Sequence, residues 1–113
     1  MATARFIYDG DAVDFTPSDE VNTGDVVVQG ELVGIAKLDM AAGQLGALAV
    51  TGIFDVAKAA GAGTDIAVGA KLWWNATDKR VETAVGDPAR PYLGKAVRAA
   101  ATTDATVRVR LEQ

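Results

Sequence analysis

The stretch AKLWWNATDKRV, residues 70–81, places the only two tryptophans of this 113-residue chain side by side. Its pattern predicts a strand over KLWW, a turn at NATDK and a returning strand at RVETAV. Because side chains alternate along a strand, Trp73 and Trp74 should point to opposite faces of a sheet. One of them can fill a core, and the other needs a separate cover.

Short strand signals continue on both sides of this hairpin. VVV (26–28) and ELVGIAKL (31–38) form a second predicted hairpin, and YLGKAVRA and TVRVRL form a third. We expect LGALAVTGIFDV (45–56) to be one long strand that is bent at Gly52. The regular spacing of turns predicts an all-β fold, a compact barrel or sandwich of about eight short strands. At most one short helical turn fits, in AKAAGAGTD (57–65).

The composition is that of one globular domain over residues 1–113. Half of the residues are hydrophobic (50%) and 23% are charged, and Ala, Val and Gly dominate the apolar set. A core of such small residues is thin and often relies on a partner subunit. The apolar stretches are too short to span a membrane, and the N-terminus lacks the apolar segment of a signal peptide. We therefore expect the protein to stay where it is made or to be packaged from there.

Charge is unevenly distributed along the chain. Residues 1–40 contain eight acidic and two basic side chains, a balance of −6, whereas residues 41–113 contain seven acidic and nine basic ones, a balance of +2. The overall net charge of −4 argues against a nucleic-acid binder. The asymmetry fits either ordinary variation of a solvated surface or a head-to-tail oligomer, in which the acidic part of one copy meets the basic part of the next.

Arg108 and Arg110 alternate with apolar residues in the last predicted strand, so both should project from one face. We predict that at least one of them meets an acidic residue from residues 9–31 of a neighbouring subunit. A pair within the chain is the alternative.

The residue types that carry most enzyme chemistry are missing. The chain has no cysteine and no histidine, and its single serine, Ser18, therefore has no imidazole to activate it. Asp9, Asp11 and Asp14 do not have the spacing of a calcium loop and fit a solvated hairpin tip better. ARPYLGKA (89–96) and GAGTDI (61–66) lack residues that phosphate-binding loops require. We expect no catalysis, no cofactor and no metal.

Many weakly specific positions, rather than one sharp motif, connect the chain to a known family. They lie in GDVVVQGELVGIAKLDMAAGQLGALAVTGIFDVAKA, IAVGAKLWWNATDKRVET, YLGKAV and VRVRL, and include Gly34, Trp74 and Gly94. From about Phe6 to Leu111 the sequence resembles the tailed-phage capsid cement, or head decoration, proteins. Some members of that family carry the label of a RecA-type recombinase, which this sequence does not support because it has no Walker A loop.

The resemblance implies a β-rich protomer, made in the cytoplasm of the bacterial host, that assembles as a homotrimer on the outer surface of the phage head. There it would bind the major capsid protein and clamp the lattice against the pressure of the packaged DNA. A trimeric β-barrel that displays loops 39–44 and 57–66 to a ligand or host surface is the alternative function. Co-sedimentation with expanded capsids separates the two.

Strand alternation distinguishes the two tryptophans. Ala70, Leu72 and Trp74 share the apolar face, so Trp74 should lie in the protomer core. Trp73 lies between Lys71 and Asn75 on the other face, where a tryptophan is a good interface anchor. We therefore predict a subunit interface that contains Trp73, Arg108 and Arg110, with Trp73 covered by a neighbouring subunit or by the capsid.

The N-terminal segment MATARFIY has strand propensity at a chain end, where disorder is the default. An apolar, unpaired strand in that position calls for a recipient sheet, and the family resemblance suggests an edge of the capsid protein. Residues 1–8 are therefore predicted to be a capsid-binding arm, with Arg5, Phe6, Ile7 and Tyr8 as contacts. The alternative is that Arg5 to Tyr8 pair with AVDFT across the Asp9-Gly10 turn inside the protomer.

Overall fold

The computed structural model describes residues 3–113, which form nine strands in two antiparallel sheets. The strands are β1 (Ala12–Phe15), β2 (Val26–Gln29), β3 (Leu32–Ile35), β4 (Gly46–Ala49), β5 (Ile53–Ala57), β6 (Lys71–Asn75), β7 (Arg80–Glu82), β8 (Tyr92–Ala96) and β9 (Thr106–Leu111). The first sheet has the order β1-β4-β3-β2, and the second has the order β5-β9-β8-β6-β7. The predicted all-β class is confirmed, and these residues contain no helix.

Of the two predicted all-β architectures, the barrel is wrong for the described residues. The two sheets remain separate, and a lone parallel bridge between Lys58 and Val81 brings the end of β5 beside β7 without closing the second sheet. Val33 and Ile35 of the first sheet share one core with the buried side chains of the second sheet. The fold is therefore two packed layers around a common apolar centre.

The second sheet buries one face and exposes the other, as the alternation of its strands predicts. In β9, Val107, Val109 and Leu111 are buried, whereas Arg108 and Arg110 are exposed. The three predicted hairpins β2-β3, β6-β7 and β8-β9 all form. Local alternation and turn residues are sufficient for these pairs because each joins strands that are neighbours in sequence.

The first sheet has apolar contacts on both of its faces. Val26 and Val28 pack against the main core, while Val27 packs against a second, smaller cluster built on Leu48. A side chain at Gly34 would place its Cβ 2.7 Å from the Leu48 Cβ, so glycine allows β3 and β4 to approach. The smaller cluster explains why β2 has no polar face.

The prediction of one long strand over residues 45–56 is wrong. The segment forms β4 and β5, which belong to different sheets, and the chain changes direction before Gly52. Gly52 has a φ of +112°, a conformation that side-chain-bearing residues rarely adopt. The charges divide near the same crossing, because β1–β3 lie in the acidic residues 1–40 and β5–β9 lie in residues 41–113, which have excess basic residues. The strand between them, β4, carries no charged side chain.

A buried lysine organises the segment over residues 57–65. Lys58 is only 6% exposed, and its Nζ donates hydrogen bonds to the carbonyl oxygens of Ala59, Ala101 and Asp104 at 2.7, 3.1 and 2.9 Å. This one ammonium group satisfies three acceptors on two loops. The loop after β5 is thereby fixed to the loop before β9.

Replacing Lys58 with methionine is expected to lower the free energy of unfolding by about 2–3 kcal/mol. Methionine keeps much of the apolar stem but leaves three carbonyl oxygens without their donor. Urea denaturation measures the difference, and Lys37→Met, at an exposed lysine, is the matched control. Equal stability of the two variants would contradict this role of Lys58.

Candidate interaction surfaces

The two tryptophans occupy different environments. Trp74 is 7% exposed and belongs to the main core, which confirms its predicted position. Trp73 is half-buried, and its ring packs edge-to-face against Tyr92 with centroids 5.9 Å apart and an interplanar angle of 62°. Part of the cover of Trp73 therefore comes from its own chain, and its place at a subunit contact stays a prediction.

A β-bulge brings Tyr92 to the outer face of the second sheet. Leu72 lies opposite Gly94, but the next residue, Trp73, lies opposite Tyr92, so Leu93 is an extra residue in β8. The extra residue lets Leu93 turn into the core and Tyr92 turn outward to Trp73. Burial raises the pKa of the Tyr92 phenol, and its Oη has no hydrogen-bond partner among the described residues.

Three basic residues form a row across the same outer face. Lys71 on β6 lies opposite Lys95 on β8, and Lys95 lies opposite Arg110 on β9. Residues directly opposite each other in an antiparallel pair share a face, with Cβ atoms about 5 Å apart. Lys95 has a carboxylate partner, since its Nζ lies 3.5 Å from Glu112 Oε1. Among residues 3–113, Lys71 and Arg110 form no ion pair within 4.0 Å. We call Lys71, Lys95 and Arg110 the cationic row.

Arg108 has a partner in its own chain. Its Nε donates a hydrogen bond to Asp55 Oδ1 at 3.0 Å, and its Nη2 donates to Asp55 Oδ2 at 3.2 Å. The hydrogen bond from Arg108 lowers the pKa of the Asp55 carboxyl. Arg108 therefore has the intrachain pair that was the alternative, whereas Arg110 forms no ion pair within the described residues. A contact of either arginine with a neighbouring subunit stays a prediction.

The N-terminal segment does not fold back on the protomer. Residues 3–11 contain no strand, and Phe6, Ile7 and Tyr8 are 79%, 64% and 51% exposed. The alternative hairpin with AVDFT is wrong, because residues 3–11 form no strand. β1 pairs with β4 on one side, with Ala12 opposite Ala49, and the segment before the Asp9-Gly10 turn does not occupy its other side. Residues 1 and 2 of the predicted arm lie outside the described residues.

An open groove lies where the arm joins the first sheet. It encloses about 840 Å³ and is lined by residues that include Asp11, Ala12, Leu38, Met40 and Leu45. Leu38 and Leu45 are exposed apolar side chains, and loop 39–44 forms part of the wall. The arm and the groove, which adjoin at Asp11, together form an exposed apolar region.

The acidic side chains of the described residues do not cluster. Within residues 3–113, no three of the acidic side chains are grouped so that they could hold a metal ion, Asp9, Asp11 and Asp14 included. No helix in the same part of the chain is long and apolar enough to cross a membrane. What the surface offers is contact area: the cationic row, the Trp73–Tyr92 pair, the arm and the groove.

Comparison with protein families gives the decisive match. A family model described as phage cement protein covers residues 7–111, which include every strand of both sheets. The chain belongs to the phage cement protein family. No curated protein and no solved structure matches it. Membership gives the cement protein a structural role in the phage capsid and a place in the virion, and it points to a non-enzymatic function.

The sequence did not reveal three of the features that organise these surfaces: the cationic row, Tyr92 and the buried Lys58. Lys71 and Lys95 each alternate with apolar residues, which indicates two outward-facing lysines. Their juxtaposition depends on the register of strands that are distant in sequence, which alternation does not give.

Proposed function

We propose that this cement protein binds the outside of the phage head as a homotrimer and stabilises the lattice of the major capsid protein. Family membership supports the capsid as the partner. The observation that carries the proposal furthest is the exposed apolar arm Phe6–Tyr8, which finds no strand partner in its own protomer. Exposed apolar surface of this kind marks a contact with another molecule.

The arm attaches by adding a strand to an exposed sheet edge of the capsid protein. An extended peptide gains main-chain hydrogen bonds in this way, and its alternate side chains enter pockets of the recipient. Phe6 and Tyr8 would point to one side of such a strand, with Arg5 and Ile7 on the other. Attachment therefore depends on the arm, whereas folding depends on the two sheets.

The trimer uses Trp73, Arg108 and Arg110 at its subunit contacts. Trp73 is half-buried beside Tyr92, which leaves apolar ring surface for a neighbour. Aromatic and arginine side chains are enriched at the centres of protein interfaces. A trimer also carries three arms. Three weak attachments on one rigid body bind far more tightly than a single attachment does.

Deleting residues 2–8 is expected to reduce capsid binding at least tenfold while leaving the number of subunits in the assembled protein unchanged. The deletion removes the exposed arm and no strand of either sheet. Co-sedimentation with expanded capsids measures attachment, and sedimentation equilibrium measures mass.

The matched control for this deletion is Val68→Ser, which removes an exposed apolar side chain outside the arm. It should bind capsids as the unaltered protein does. A truncated chain that fails to fold, or one that still binds fully, would contradict the role of the arm. Stabilisation of the lattice is tested separately, as an increase in the melting temperature of capsids when the protein is added.

A further inference from the structure

We propose that the cationic row is one half of the subunit contact and that its counterpart is the acidic β1 edge of the next copy, formed by Asp11 and Asp14. The inference rests on the proposed function for its assumption that the protein self-associates. It adds which surfaces meet and makes the contact head-to-tail, because the outer face of the second sheet meets a different patch on the neighbour.

The first argument is the like charge within the row. Lys71 faces Lys95, and Lys95 faces Arg110, so each cation lies directly opposite another cation. Like charges in directly opposite positions destabilise an antiparallel pair. Within the described residues the row has one carboxylate contact, Lys95–Glu112 at 3.5 Å. An isolated protomer therefore retains repulsion that an acidic surface would relieve.

The second argument is that exposed or half-buried apolar side chains surround the cationic row, as they do charged residues in protein interfaces. Ile53 on β5 lies opposite Arg110 and is exposed, and the Trp73–Tyr92 pair joins β6 and β8, the strands that carry Lys71 and Lys95. Basic side chains flanked by aromatic and aliphatic groups can provide both apolar contact and charge pairing with one partner.

The third argument identifies the partner surface. Asp11 and Asp14 are both exposed, Asp11 directly before β1 and Asp14 within it. β1 is an edge strand that pairs with β4 on one side. Asp11 Oδ1 accepts a hydrogen bond from the Thr51 hydroxyl at 3.3 Å, which orients this carboxylate. These aspartates belong to the acidic residues 1–40, whereas the row belongs to the part of the chain with excess basic residues. Because one chain carries both a basic and an acidic surface, the partner that best complements the cationic row is a second copy of the same chain.

The contact is tested by exchanging the charges. The face variant combines Lys71→Glu with Arg110→Glu, and the edge variant combines Asp11→Lys with Asp14→Lys. Each makes the two surfaces of all copies alike in charge, so each is expected to weaken self-association at least 100-fold. The combined variant carries all four changes and restores opposite charges, so its association should return to within about tenfold of the unaltered protein. The face variant also places carboxylates on both sides of Lys95, which favours folding of the protomer.

Sedimentation equilibrium over a range of protein concentrations, at about 50 mM and 500 mM salt, provides the measurement, because exposed pairs are screened at high salt. The control is Lys79→Glu, a charge reversal outside the row and outside the groove that Asp11 lines, and it should associate normally. The inference is overturned if the face variant associates normally, if the combined variant is not restored, or if the unaltered protein is a monomer at every concentration. Capsid co-sedimentation is scored independently, so a protein that forms the head-to-tail contact but binds no capsids would contradict the proposed function alone.

Discussion

Replacement of Trp74 by alanine is expected to lower the free energy of unfolding by about 3–5 kcal/mol. Trp74 lies in the main core beside Leu72, where both sheets contribute side chains. Most of the surrounding residues are valine, leucine, isoleucine and alanine, which cannot fill the space of an indole without shifting the strands. Urea denaturation followed by the fluorescence of Trp73 provides the measurement.

Trp73→Ala is the matched control because it removes the same side chain from the next residue. We expect it to lose the edge-to-face contact with Tyr92, about 0.5–1.5 kcal/mol, while the monomer stays folded. Its larger effect should be weaker association, measured as mass in solution. If both variants destabilise folding equally and neither changes the mass, the assignment of the two faces is incorrect.

Strand alternation predicted the environment of Trp74 because β6 is regular up to its turn. The same is true of β9, where buried Val107 and Val109 alternate with exposed arginines. In both strands one face meets an apolar core, so burial follows the parity of a residue in the sequence, with Asn75 at the end of β6 as the exception. Asn75 is buried although it has the parity of Lys71 and Trp73. It donates hydrogen bonds to Asp78 and Glu82. The hairpins were predictable for a related reason, since their turns join strands that are adjacent in the chain.

Features that depend on distant parts of the chain could not be predicted in this way. Residues 45–56 have continuous strand propensity, and only the positive φ of Gly52 and the different partners of β4 and β5 divide them between two sheets. The Asp9-Gly10 dipeptide is typical of a tight hairpin, but β1 pairs with β4 instead. Tertiary pairing overrode local propensity in residues 45–56, whereas at Asp9-Gly10 the segment before the turn forms no strand and leaves one side of β1 unpaired.

The candidate surfaces, like the fold, were predicted from the sequence only in part. An outward-facing Trp73 follows from local pattern, and the structure has it. An unpaired Phe6–Tyr8 segment was one of two alternatives that the sequence left open, and it is the one the structure has. Regular alternation along β8 would have placed Tyr92 with Gly94 on the inner face, and the bulge reverses that. The cationic row needs the register of three strands, which no local pattern contains.

Gly94→Ala is expected to cost about 3 kcal/mol or more of folding stability, because β8 and β9 approach too closely there for a side chain. A Cβ built on Gly94 would collide with the carbonyl oxygen of Arg110, a backbone atom that cannot move aside as a flexible side chain can. Gly94 lies opposite Leu111, and the next pair is Lys95 with Arg110. Separation of the two strands would therefore weaken their hydrogen bonds and displace the cationic row.

The matched control is Gly10→Ala, since a Cβ at Gly10 would have no neighbouring atom within 4 Å and Gly10 is not among the glycines with positive φ. That substitution should change the free energy of unfolding by less than about 0.5 kcal/mol. Urea denaturation of both variants makes the comparison, and amide hydrogen exchange locates the damage. Loss of protection in Gly94→Ala should begin at β8 and β9, because the added methyl group acts on that pair alone. A Gly94→Ala protein as stable as Gly10→Ala would show that the two strands can separate without cost, contrary to the close approach on which the argument depends.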